Sequence, residues 1–191
     1  MALNFANKVT IFRILAVPFF IASVLYYTPQ RDVLRYISLG IFLLAVISDV
    51  VDGYIARTRR QKTKGGAILD PLADKILLIS AFICLYTKNN FPLGIKFPLW
   101  VILFVISRDV IILLGAMIIY IVYGELEIVP TRWGKLTTFF QTASIIGILL
   151  QINFSFLIWY ATVIFTAISG FGYIKKGIKV LNVANGAKSN T

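Results

Sequence analysis

The sequence of 191 residues contains no histidine and only one cysteine, Cys84. Without histidine, a serine–histidine triad, phosphohistidine chemistry and histidine-ligated zinc are excluded. A single cysteine excludes an intrachain disulfide and a site of several thiolates, and Cys84 is expected to be a small buried apolar residue. Acid–base chemistry must then come mainly from carboxylates, and the chain has only eight acidic residues.

Charged side chains are scarce as well, since they make up 14% of the chain while 59% of its residues are apolar. Such a mixture is too apolar for a soluble domain and indicates a protein surrounded by lipid. A helix needs about 20 apolar residues to cross a bilayer. We therefore predict one domain over residues 1–191, an all-α membrane bundle of six transmembrane helices at 9–27, 33–56, 67–86, 98–123, 136–154 and 156–173.

Basic residues give the chain a net charge of +11 and divide unevenly between the two sides of this bundle. The positive-inside rule places the richer side, with both termini, in the cytoplasm. In a chain with six spans this charge favours the anionic cytoplasmic leaflet over nucleic acid as partner. A polar tail at about 185–191 is predicted to be disordered. The richer side carries Lys8, Arg57, Arg59, Arg60, Lys62, Lys64, Arg132, Lys135, Lys175, Lys176 and Lys179, and the other side Arg31, Arg35, Lys88 and Lys96.

Five of the eight acidic residues lie within or at the ends of predicted spans. They are Asp49, Asp52, Asp70, Asp74 and Asp109. An aspartate at the bilayer centre costs about 2.5 to 3.5 kcal/mol on insertion scales, so this placement indicates function. The alternative is that each aspartate pairs with a nearby base such as Lys75 or Arg108.

Four of these aspartates are spaced to meet. Asp49 and Asp52 share one face of the second predicted helix, and Asp70 and Asp74 share one face of the third. A short connection joins the two spans, so the four carboxylates can converge near the cytoplasmic surface. Carboxylates at such close range repel one another unless they bind cations or protons. Oxygen ligands without histidine or cysteine favour Mg²⁺, Mn²⁺ or Ca²⁺ over zinc or copper.

Small residues stand beside the aspartates at Gly53, Ala56 and Gly66. They leave room for a flat or phosphorylated ligand to approach the backbone. The alternative is close helix packing, which small residues also permit in membranes.

The aspartates and small residues form one spaced pattern: Asp49, Asp52, Gly53, Ala56, Arg57, Gly66, Asp70 and Asp74. This pattern resembles the signature of the CDP-alcohol phosphotransferase family, D-x2-D-G-x2-A-R-x8-G-x3-D-x3-D, at all eight fixed positions. Members of that family have six membrane helices and form homodimers. They join a CDP-linked lipid or alcohol to a second alcohol and release CMP.

The resemblance implies roles for individual residues. Asp49, Asp52 and Asp70 would hold Mg²⁺ or Mn²⁺, and Asp74 would share the metal and take the proton from the acceptor hydroxyl. Contacts to the CDP-linked donor would come from Asp49, Gly53, Ala56, Arg57, Gly66 and Asp70, with Arg57 near the phosphates.

Further stretches indicate the substrates. Residues 7–13 and 69–75 resemble the subgroup that makes phosphatidylglycerol phosphate and cardiolipin. Residues 106–110 and 134–137, with Gln141, resemble both glycerol-3-phosphate transferases and cardiolipin synthases of the CDP-alcohol type. We predict CDP-diacylglycerol as donor and glycerol 3-phosphate as acceptor, with phosphatidylglycerol or inositol-type acceptors as alternatives. The phospholipase-D type of cardiolipin synthase is excluded because it needs histidines.

Three basic residues, Arg108, Arg132 and Lys135, are expected on the cytoplasmic side of the fourth and fifth helices, where they could clamp an acceptor phosphate. For Arg132 and Lys135 the alternative is a topology signal. Arg108 lies deeper and needs a partner, and its neighbour Asp109 is expected on another face of the helix. A cation transporter is the alternative from another class, but it predicts acids spread through the membrane depth and repeated halves, which are not visible in the sequence.

Overall fold

The computed structural model describes the backbone of residues 5–59, 66–88, 97–123 and 132–188. Within these ranges it contains six α-helices, one short 3-10 helix and no strand. The helices are α1 (Phe5–Leu25), α2 (Val33–Arg59), α3 (Gly66–Thr87), α4 (Leu99–Tyr123), α5 (Arg132–Leu149) and α6 (Ser155–Lys188), and the 3-10 helix is Pro29–Arg31. The predicted all-helical class is confirmed.

Helix α5 ends earlier than its predicted end at residue 154. The following residues form a turn in which Gln151 has a φ of 55°, and a residue in this left-handed region ends a helix. The Gln151 amide donates to the Ile148 carbonyl oxygen at 3.0 Å and the Ile152 amide to that of Gly147 at 2.9 Å. The apolar run continues through this turn, so hydropathy alone placed the end too late.

Helix α6 extends past its predicted end at residue 173 as far as Lys188. Hydropathy falls after residue 173, but the sequence there lacks proline and contains helix formers such as Lys175, Leu181 and Ala184. The helix includes residues 185–188 of the predicted disordered tail, and residues 189–191 lie outside the described part of the chain.

Contacts between side chains set the direction of α1 and α2. The hydroxyl oxygens of Ser23 and Ser38 are 2.8 Å apart, and the ring centroids of Phe20 and Phe42 are 5.8 Å apart. Since later residues of α1 meet earlier residues of α2, the two helices are antiparallel.

Helices α5 and α6 form a second antiparallel pair, joined largely by hydroxyl groups. Ser144 and Thr162 share a hydrogen bond of 2.9 Å, and the Thr137 hydroxyl donates to the Phe165 carbonyl oxygen at 3.0 Å. Hydroxyl bonds and small residues are the usual means of joining helices where the surroundings are apolar.

Buried side chains divide into an apolar and a polar region. The apolar core lies where α1, α3 and α5 end, and includes Phe20, Phe42, Leu78, Phe82, Cys84, Phe97, Val101, Ile145 and Leu149. The prediction that Cys84 is a small buried residue is confirmed. Most buried charges lie nearer the beginning of α1 and α3, namely Arg13, Lys75, Arg108 and Asp109, whereas Arg35 is buried at the opposite end, beside Leu149.

The outward faces of the helices are strongly apolar. Exposed large apolar side chains occur on every long helix, among them Phe19, Leu44, Ile83, Leu103, Phe139 and Phe171. Exposed apolar side chains around buried charges are the reverse of the arrangement in a soluble protein. By length and hydropathy, two stretches of the described helices qualify as candidate membrane spans, Val33–Val51 and Ser155–Tyr173, and Val9–Leu25 is a shorter apolar stretch.

Candidate active site

Asp49, the first aspartate of the pattern, faces helix α1 and forms an ion pair with Arg13. The Arg13 side chain is 1% exposed and that of Asp49 is 42% exposed. A buried arginine requires a counter-charge, which explains the pair. The pairing alternative therefore holds for Asp49, although its partner lies on α1. Because a carboxylate has two oxygens that each accept more than once, the pair leaves acceptor capacity on Asp49.

Asp74, on α3, lies in the same region as Asp49 and Arg13. Its side chain is half-buried, and it lies within electrostatic range of Asp49, Arg13, Lys75 and Asp109. Asp49 on α2 and Asp74 on α3 are thus close enough to interact electrostatically, and they are two of the four aspartates predicted to converge.

The other pattern residues are on the same two helices. Helix α2 carries Asp52, Gly53, Ala56 and Arg57, and helix α3 begins at Gly66 and carries Asp70. The side chains of these residues lie outside the described part of the structure. The side chains that are described contain no group of three or more potential metal ligands. The four-aspartate metal set and the donor contacts therefore remain predictions.

Asp109 on α4 is the centre of a buried polar network and is 1% exposed. Its Oδ1 accepts a hydrogen bond of 2.6 Å from Arg108 Nη1. Its Oδ2 accepts one of 3.2 Å from Gln141 Nε2 and lies 3.1 Å from Lys75 Nζ. Groups from α3, α4 and α5 thus converge on one carboxylate, so the pairing alternative holds for Asp109 with both predicted bases.

Arg108 and Asp109 are neighbours in sequence on α4 and their side chains meet. Both residues are buried, and the long arginine side chain turns back to the carboxylate of the next residue because a buried charge needs an opposite charge beside it. The other guanidinium nitrogen, Nη2, donates to the Ser169 hydroxyl on α6 at 2.5 Å. The guanidinium carbon is 5.7 Å from the centroid of the Tyr173 ring.

The three residues predicted to clamp an acceptor differ in their surroundings. Arg108 is buried within the network, whereas Arg132 and Lys135 have exposed side chains in the first turns of α5. The clamp remains a prediction.

Sequence reasoning did not identify Arg13 or Ser169 as members of the polar region. For Arg13 a signal existed, because a cation within an apolar helix needs an anion nearby. Ser169 gave no signal, since serine is common at contacts between helices in apolar surroundings.

Comparison with known proteins decides the family. The family model for CDP-alcohol phosphatidyltransferases matches residues 3–168. This chain belongs to the CDP-alcohol phosphatidyltransferase family. It is therefore a transferase of phospholipid biosynthesis, and the resemblance seen in the aspartate pattern is confirmed. Members of this family generally depend on a divalent metal.

Several relatives of this phosphatidyltransferase align along nearly its whole length. One from Haemophilus influenzae, named CDP-diacylglycerol–glycerol-3-phosphate 3-phosphatidyltransferase, is 32% identical over 98% of this chain and 96% of its own length. A protein of the same name from Bacillus subtilis is 30% identical over 95% of this chain and 99% of its own length. The CMP-forming cardiolipin synthase of Rattus norvegicus is 29% identical over 78% of this chain and 55% of its own length.

Proposed function

We propose that this phosphatidyltransferase moves the phosphatidyl group of CDP-diacylglycerol to the hydroxyl of glycerol 3-phosphate, giving phosphatidylglycerol phosphate and CMP. The supporting observation is that the Haemophilus and Bacillus relatives, whose names state this activity, align with 98% and 95% of the chain. Lys75 lies within electrostatic range of Asp74, and the buried Arg108 binds Asp109, to which Lys75 is also paired. These buried cations suit an acceptor that carries a phosphate.

A divalent metal, Mg²⁺ or Mn²⁺, fits the residues of the pattern. Its ligands would be Asp49, Asp52, Asp70 and Asp74, an all-oxygen set of the kind that these hard cations prefer. Asp49, whose side chain is described, is 42% exposed and so is accessible from outside. When bound, the metal would neutralise charge on the departing CMP and polarise the phosphorus.

The chain's own residues would carry the remaining steps. Asp74 takes the proton from the acceptor hydroxyl, and the oxygen forms a bond to the donor phosphorus. The bond from that phosphorus to the CMP oxygen breaks, and CMP leaves with the electron pair. Gly53, Ala56 and Gly66 leave room for the cytidine diphosphate, and Arg57 contacts its phosphates.

The acceptor phosphate is held by Arg108, Arg132 and Lys135. The exposed Arg132 and Lys135 attract it from water, and the buried Arg108 fixes its orientation with a planar fork of donors.

The enzyme works in a membrane as a bundle of six spans. Support comes from the apolar outward faces of all six described helices. The distribution of basic residues favours the cytoplasmic membrane, with both termini and the active site on the cytoplasmic side. There the donor keeps its acyl chains in lipid and its nucleotide in water. We also propose a homodimer, as expected from the family.

The second candidate is cardiolipin synthesis with phosphatidylglycerol as acceptor. The observation in its favour is the CMP-forming cardiolipin synthase of Rattus norvegicus, which is 29% identical over 78% of this chain. Its acceptor also carries a phosphate, so Arg108 could serve either reaction.

Steady-state kinetics test the proposal. Purified enzyme in CDP-diacylglycerol micelles should release CMP with saturable dependence on glycerol 3-phosphate, and much more slowly with phosphatidylglycerol or inositol 1-phosphate. Saturation by phosphatidylglycerol alone would transfer the assignment to the second candidate.

A further inference from the structure

The carboxylate of Asp109 is enclosed by its partners. Its hydrogen-bond donors Arg108 and Gln141 and its ion-pair partner Lys75 are all buried as well, and the nitrogen-to-oxygen distances are 2.6, 3.2 and 3.1 Å respectively. Because none of these groups can turn to water instead, the carboxylate fixes the direction in which each of them points.

The cluster carries more positive than negative charge. Lys75 and Arg108 contribute two cations, whereas Asp109 contributes one anion. Asp74 is a further anion within electrostatic range, but the proposed function commits it to the metal and to the acceptor hydroxyl. An excess of buried positive charge is unfavourable unless an anion joins it, so the cluster suits an anionic ligand.

Three polar atoms around Asp109 have no hydrogen-bond partner within the described part of the chain. They are the donor Nε of Arg108, the acceptor Oε1 of Gln141 and Nζ of Lys75, which is ion-paired with Asp109. Buried polar atoms are nearly always bonded, so an open donor and an open acceptor at one carboxylate indicate a ligand that offers both kinds of group. A phosphorylated polyol offers phosphate oxygens to the arginine and a hydroxyl to the glutamine.

From this geometry we propose that Asp109 is a positioning residue, which holds Arg108 and Gln141 so that they receive the phosphate and a hydroxyl of the acceptor. Ser169 supports the opposite side of the guanidinium, and Lys75 holds the carboxylate from α3. The inference rests on the proposed function for the identity of the acceptor.

A double-mutant cycle tests whether Asp109 acts through Arg108. Asp109→Asn keeps the size of the side chain and removes its charge, so we expect the acceptor KM to rise about tenfold while the donor KM stays within about twofold. In the Asp109→Asn/Arg108→Lys double variant the acceptor KM should be no higher than with Arg108→Lys alone, because the second change removes what the first one positions.

The matched control is Asp32→Asn, which disrupts an aspartate–arginine pair far from the polar network, formed with Arg35. Its acceptor KM should equal that of the wild type. Effects of Asp109→Asn and Arg108→Lys that multiply in the double variant, or equal rises of the donor and acceptor KM in Asp109→Asn, would overturn the proposal.

Ser169→Ala provides a second variant in case Asp109→Asn does not fold. It releases one side of the same guanidinium while the ion pair with Asp109 remains, so the acceptor KM should rise several-fold with an unchanged donor KM. An unchanged acceptor KM would overturn the proposal. If the wild type uses phosphatidylglycerol instead, the proposed function fails, and the same cycle measured with that acceptor still decides the role of Asp109.

Discussion

Two aspartate–arginine pairs occupy different regions of the bundle and have hydrogen bonds of similar length. Arg108 binds Asp109 at 2.6 Å, and Arg35 binds Asp32 at 2.8 and 2.7 Å. Both arginines are buried, but the Asp32 side chain is 42% exposed and that of Asp109 is 1% exposed. The pairs therefore differ in the number of their hydrogen bonds and, much more, in the exposure of the aspartate.

The pair of Asp32 and Arg35, whose aspartate is exposed, has a structural role. Asp32 immediately precedes α2, where a carboxylate is favourable at the beginning of a helix, and Arg35 also donates to the Leu149 carbonyl oxygen at the end of α5. The buried pair needs Lys75 and Gln141 in addition, and it lies within electrostatic range of Asp74. The Asp32–Arg35 pair thus joins α2 to α5. The Asp109–Arg108 pair instead gathers charged groups beside Asp74, the candidate catalytic residue.

The largest difference in turnover number is expected between Asp74→Asn and Asp32→Asn. Asparagine at position 74 cannot accept the proton, so the turnover number should fall by about 10²- to 10⁴-fold while CDP-diacylglycerol binding survives in part. Asp32→Asn should leave turnover close to wild type. The measurement is CMP release at saturating substrates, and near-normal turnover of Asp74→Asn would show that the base is another group.

Removal of the metal should also distinguish the candidate active site from the region around Asp32. Excess chelator should abolish CMP release, and Mg²⁺ or Mn²⁺ should restore it whereas Zn²⁺ should not. Mg²⁺ should also raise the thermal midpoint of the wild type and of Asp32→Asn, since a ligand stabilises the folded state that binds it. In Asp49→Asn this shift should be reduced, and a shift of wild-type size would remove Asp49 from the metal site.

The arginines themselves are compared by Arg108→Lys and Arg35→Lys. Lysine keeps the charge but loses the planar fork, so Arg108→Lys should raise the acceptor KM about ten- to hundredfold through the loss of a charge-assisted hydrogen bond. Arg35→Lys should leave the acceptor KM unchanged. Equal acceptor KM values in the two variants would show that Arg108 serves helix packing and does not bind the acceptor.

In a measurement of stability the effect is expected at Arg35, where no effect on activity is expected. Arg35→Gln loses the ion pair with Asp32 and weakens the link to Leu149, so stability should fall by about 1 to 3 kcal/mol. Turnover per folded molecule should stay unchanged. Thermal unfolding in detergent and active-site-normalised turnover provide the two readouts, and a loss of turnover in the folded fraction would contradict a purely structural role.

The smallest expected effect is the pH dependence of the Asp32 pair. The hydrogen bond from Arg35 lowers the pKa of Asp32 below its ordinary value of 3.8. The contribution of the pair is therefore complete above that value and is lost as the pH falls through the lowered pKa of the folded state. Thermal midpoints of the wild type and Asp32→Asn should converge under strongly acidic conditions, and a difference that does not shrink as the pH is lowered would contradict this assignment.

Sequence periodicity predicted the helices well where hydropathy changes at a helix end. Helices α3 and α4 begin and end within about one residue of their predicted limits. The end of α5 was placed too late because apolar residues such as Ile152 continue through the turn at Gln151. A left-handed residue is a property of local backbone sterics, which hydropathy does not contain.

The candidate site was predictable only where the residues are close in sequence. The pattern from Asp49 to Asp74 identified the family because spacing along two helices is visible in one sequence. The partners Arg13 and Gln141 lie on other helices, and their pairing with Asp49 and Asp109 depends on how the helices pack. Packing of helices in apolar surroundings leaves little periodic signal, since both faces of a helix can be apolar.

One reaction with two competing acceptors tests the central claim most directly. Wild-type enzyme would receive CDP-diacylglycerol and Mg²⁺ with equal concentrations of deuterated glycerol 3-phosphate and unlabelled phosphatidylglycerol, and the lipid products would be identified by mass spectrometry. The account predicts deuterium in phosphatidylglycerol phosphate, with CMP formed in equal amount. Cardiolipin without deuterium as the main product would contradict it.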